Sequence, residues 1–86
     1  MDIKNQYLSI LSEIIAMEGI VFGFDIVILK AQNAGLILDD KGMVIKIKSD
    51  SKEAVRNLIE EFVSLGGQTA RDILNPIFEK YPLIED

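Results

Sequence analysis

The chain has 86 residues, 49% of them hydrophobic, with 14 acidic and 9 basic side chains and a formal charge of −5. It contains no cysteine and no histidine. That excludes a disulfide framework, thiolate metal sites and cysteine nucleophiles, and it removes the commonest general base and neutral-pH switch. A net negative domain is repelled by phosphate backbones, so neither nucleic acid nor an anionic membrane is an expected partner.

This length fits one compact domain over 1–86. Apolar residues at Ile3, Tyr7, Leu8, Leu11, Ile14 and Ile15 step by three and four. The spacing predicts an amphipathic helix with Lys4, Asn5, Ser12 and Glu13 facing out, Asp2 as its cap and Gly19 as its stop. Asp2 precedes the first Lys and no apolar run follows at once, so no signal peptide is expected, and with no cysteines the setting reads as cytoplasmic.

Ile14 to Leu29 is very apolar, but Glu18 and Asp25 interrupt it. A membrane span needs ~20 apolar residues with few charges, so the stretch reads as buried core. Asn33-Ala34-Gly35 before Leu36 resembles a helix C-cap, which favours a second helix from about Phe22 to Ala34. The β-branched and aromatic residues of Gly19–Leu29 also suit a strand, which would give a three-stranded sheet; a short apolar run leaves both open.

Leu36-Ile37-Leu38, Asp39-Asp40-Lys41-Gly42 and Met43 to Lys48 predict a β-hairpin with Gly42 in the turn. Alternation puts Ile45 and Ile47 on a packed face and Lys46 and Lys48 on a wet one. Asp50 with Glu53 has capping-box spacing. It opens a helix striped by Val55, Leu58, Ile59, Phe62 and Leu65 and stopped by Gly66-Gly67. A last helix from about Thr69 buries Ala70, Ile73, Leu74, Ile77, Phe78 and Tyr81. Pro76 should kink or restart it, Pro82 should end it, and fraying is expected over Leu83–Asp86. The fold class is therefore α+β: two N-terminal helices, a central hairpin, and two C-terminal helices packed over the Ile45/Ile47 face.

Few residues suggest chemistry. Asp39 and Asp40 on a tight turn could hold calcium or magnesium, which prefer several oxygens at an exposed loop. The spacing is a poor EF-hand, since Gly42 at the loop's glycine position puts Ile37 first and Lys48 last. Simple turn chemistry explains the same residues. Asp50 and Glu53 form a weaker candidate cation pair, and Glu60 with Glu61 and Glu79 with Glu85 and Asp86 read as caps and solvated faces.

Lys46, Lys48, Lys52 and Arg56 lack the interleaved aromatics of a nucleic-acid surface, and lysines on a strand discourage edge pairing. Gly66-Gly67-Gln68 resembles the tripeptide with which class I release factors enter the ribosomal catalytic centre. Only three residues match, without basic surroundings, and a paired-glycine cap and turn accounts for them. The hydroxyl groups of Ser9, Ser12, Ser49, Ser51, Ser64 and Thr69 have no activating context.

The leading functional expectation is a non-catalytic interaction module, self-associating through surplus apolar surface or docking a protein partner. The alternative is low-affinity calcium or magnesium binding. An enzyme built on carboxylates and Lys ranks third, because it needs two acids converging in a cleft.

Overall fold

Gly19 does not stop the first helix. In the computed structural model, which describes residues 3–81 and their side chains from Asn5 onward, α1 runs from Ile3 to Phe22. Gly19 serves close packing instead: a Cβ built there would fall 2.4 Å from the Phe24 ring. The helix breaks at Gly23, whose φ of 92° is strained for any side chain. α2 follows from Phe24 to Asn33. Residues 19–29 are thus helical on both sides of a glycine break. The strand alternative fails because α2 carries a helical contact pattern, with Val27, Ala31 and Ala34 buried along one face. The expected cap Asp2 lies outside the described residues, as do Pro82 and the Leu83–Asp86 terminus.

Ala34 closes α2 with its N–H on Lys30 and Ala31 carbonyls, and Gly35 takes φ 88°. The chain then enters β1 (Leu36–Leu38) and β2 (Val44–Ile47), an antiparallel pair. The register matches Leu36 with Ile47 and Ile37 with Lys46, but Leu38 with Val44. Ile45 is the extra residue of a β-bulge.

This bulge corrects the expected face. It shifts the alternation by one, so Val44 and Ile47 point inward while Ile45 is 57% exposed. The buried face is Leu36, Val44 and Ile47, and the N-terminal helices cover it, α1 against β2 and α2 against β1. Ser12 belongs to that contact. Expected on the outer face of α1, it is buried and its Oγ accepts the Val44 N–H at 3.0 Å.

α3 spans Ser51–Asp72. Asp50 caps it as its spacing predicts, accepting the Glu53 N–H at 3.2 Å. Its regular turn is interrupted at Gly67, with φ 61° and ψ −141°. Next to that break a Cβ on Gly66 would sit 2.4 Å from the Phe22 ring, so one glycine seats a neighbour and the next bends the chain. After Asp72 a turn leads to α4 (Asn75–Lys80), with Pro76 in its first turn, where no backbone donor is needed. Proline therefore restarts the helix.

The core draws on every element: Tyr7, Ile10, Leu11, Ile14 and Ile15 of α1, Val27 and Ala31 of α2, the hairpin face, Leu58 and Phe62 of α3, and Leu74 and Ile77 toward the C-terminus. α1 is the central element, packing against α2, α3, β2 and α4. The arrangement is α+β, with the helices and hairpin in the expected order.

Candidate functional site

The hairpin turn holds the first candidates. Asp39 Oδ1 accepts the backbone N–H groups of Lys41 and Met43, each at 2.9 Å. The Asp39 N–H donates to the Met43 carbonyl and its own carbonyl accepts from Gly42. Asp39 thus organises the loop as an Asx turn. Asp40 beside it is exposed. Asp50 and Glu53 lie at the start of α3, where Asp50 serves as the cap. Among the described residues, no three or more Asp, Glu, His or Cys side chains come together as a metal-holding group.

The glycine pair has a local role on its far side as well. The Gln68 Nε2 donates to Asp72 Oδ1 at 2.7 Å, one helical turn on. That holds the amide along the helix after the Gly67 break.

Two carboxylates of α1 frame the rest of the molecule. Glu13, at the helix edge, pairs with Lys80 Nζ at 3.1 Å and accepts the Tyr81 hydroxyl. The bond to Glu13 is the main reason the Tyr81 and Lys80 pKa values lie above their ordinary ranges. An open depression of about 370 Å³ lies alongside, lined by Ser9, Ser12, Glu13, Ala16, Met43 and Tyr81. It is shallow and mostly apolar, and the seam beside it fastens the C-terminal end to α1.

Glu18 is the opposite case. It is fully buried, and neither carboxylate oxygen has a hydrogen-bond partner among the described residues. Burial raises its pKa from the usual 4.5 to about 7, because a charged carboxylate is poorly tolerated away from water. In sequence, Glu18 stands out only as a charge that interrupts an apolar run too short of neutral residues to span a membrane. The signal that would have found it is helical spacing: continuing the three-and-four step from Ile14 and Ile15 lands on Glu18 and then Phe22, inside the apolar stripe.

Just past Glu18 the surface becomes apolar. Ile20 is 79% exposed, Val21 52% and Phe24 50%, all around the Gly23 break. Phe22, between them, folds onto Gly66, and exposed Leu65 precedes that glycine on α3. A half-buried pair, Lys30 Nζ to Glu61 Oε1 at 3.5 Å, joins α2 to α3. No described helix is long and apolar enough to cross a membrane.

Compared with protein-family models, curated proteins and solved structures, this chain matches none of them.

Proposed function

We propose that this chain is a non-catalytic interaction module that pairs with a second copy of itself through the α1–α2 corner. The observation that carries the reading is the exposure of Ile20, Val21 and Phe24 together at one break in the helical layer. Scattered apolar residues are normal on any surface, but a cluster of large ones around one turn signals contact. Charge within the patch does not oppose a like partner. The chain carries −5 overall, yet Ile20 to Phe24 contributes no charge, and Asp25 stands at the rim. Two copies related by a two-fold axis would set apolar surface on apolar surface and keep their acids in water. A cytoplasmic setting suits a chain without cysteine.

Sedimentation equilibrium over a wide concentration range tests this. The native chain should dimerise, and Ile20→Glu should make it monomeric while its circular dichroism spectrum stays that of the folded chain, since within one copy that side chain is already largely in water. A native chain that stays strictly monomeric at the highest soluble concentration contradicts the proposal.

A further inference from the structure

A lone carboxylate at the centre of a helical interface is a defect in a stable core and an asset in a device that opens. Glu18 sits on the buried stripe of α1, between Ile14 and Ile15 on one side and Phe22 on the other, and has no exposed surface. Both oxygens are without a hydrogen-bond donor among the described residues. Flexible or space-making positions surround it: Gly19 of α1 under the Phe24 ring, Gly23 with positive φ between α1 and α2, and on α3 Gly66 under the Phe22 ring followed by Gly67. The packing of this corner therefore rests on two aromatic rings seated on glycines, next to a group that binds a proton.

We propose that Glu18 is a proton-operated latch of the α1–α2 corner: the neutral carboxyl lets the corner close, and its ionisation opens Phe22 and Phe24 away from α1 and α3. An ionised carboxylate in this position has no donor among the described residues to receive it, and the nearest relief is water admitted along the Gly23 and Gly67 breaks. The rest of the fold stays anchored by contacts away from the corner, including the buried Ser12–Val44 bond.

Charged groups on the packed elements set the surroundings. On α2 they are Asp25, exposed, and Lys30, which is half-buried and paired with Glu61 of α3. The exposed ones on α3 are Lys52, Glu53, Arg56, Glu60, Arg71 and Asp72. β2 carries Lys46 and α4 carries Glu79 and Lys80, all exposed. Burial, and not a neighbouring charge, is the cause of the altered Glu18 titration. A lysine that swung in to neutralise the ionised carboxylate would hold the corner shut, so the latch also requires Lys30 to stay with Glu61.

The test is amide hydrogen exchange by NMR on the full chain between about pH 5 and about pH 8, corrected for the intrinsic pH dependence of exchange. Protection of the Phe22–Val27 amides should fall on the order of a hundredfold across that range. The hairpin amides should change far less. Glu18→Gln, which cannot ionise, should flatten the corner response, and Glu18→Leu provides a second non-ionising variant should the amide fold poorly. Equal loss of protection throughout the molecule, no loss at the corner, or a non-ionising variant that keeps the native response would each overturn the latch.

Discussion

Glu13 and Glu18 lie five residues apart on one helix and are treated in opposite ways. At the edge, Glu13 is held by Lys80 and Tyr81 and ties the far end of the chain to α1. On the buried stripe, Glu18 has no exposed surface and neither oxygen is bonded among the described residues. The same functional group thus acts as a fastener in one place and as a strain in the other. The difference is the angle at which each leaves the helix. Ser12, one residue before Glu13, completes the series: it is buried like Glu18 but satisfied, because the β2 backbone offers it the Val44 N–H. Burial of a polar group is harmless when a partner is built in and destabilising when none is.

The comparison breaks most visibly at Glu18. Replacing it with Leu should stabilise the fold by on the order of 3 kcal/mol at about pH 8, the free energy equivalent of moving a carboxyl pKa from 4.5 to about 7. Urea denaturation read at several pH values checks both size and sign. Glu18 binds its proton more tightly folded than unfolded, so its stabilising contribution is complete below the ordinary carboxyl pKa. It is lost as pH rises toward about 7. The gain from Leu should accordingly be largest above neutrality and shrink in acid. A gain independent of pH would mean that packing alone is responsible.

Ser12→Ala should act in the opposite direction, destabilising by about 1–3 kcal/mol because it leaves the Val44 N–H buried without an acceptor. Chemical denaturation gives the magnitude, and an unchanged midpoint would show that water replaces the hydroxyl. Tyr81→Phe, with Lys80→Met, should have the least effect. The Glu13 seam is exposed to water, which weakens such pairs, so thermal midpoints should barely move. A large loss there would make the seam a structural keystone and weaken the contrast with Glu18.

The main architecture was legible because its signals are local. Asp50 three residues before Glu53, the Val55, Leu58 and Phe62 stripe of α3 and Pro76 in the first turn of α4 are local signals that stand where the spacing put them, while Leu65 at the end of the stripe is exposed. What escaped depends on contacts that reach beyond one helical turn. Gly19 looked like a stop because the chain does not reveal that Phe24 will lie over it. The alternation of Ile45 and Ile47 is regular in sequence, and only pairing with β1 inserts the bulge that turns Ile45 outward. Ser12 reads as a polar residue on a wet face until β2 arrives beside it. Glu18 was readable from its position on the stripe. A carboxylate is so rarely buried unpaired that in sequence its charge reads as a break in the apolar run and not as part of the core. Asp39 and Asp50, two of the four acids of the candidate cation sites, do local backbone work at a turn and a helix cap.

The most direct measurement is a carbon-13 NMR titration of the Glu18 side-chain carboxyl in the native chain. The burial described above predicts a midpoint raised from 4.5 to about 7. A midpoint in the ordinary carboxylate range would mean that Glu18 already reaches water or a donor, and the latch at this corner would not exist.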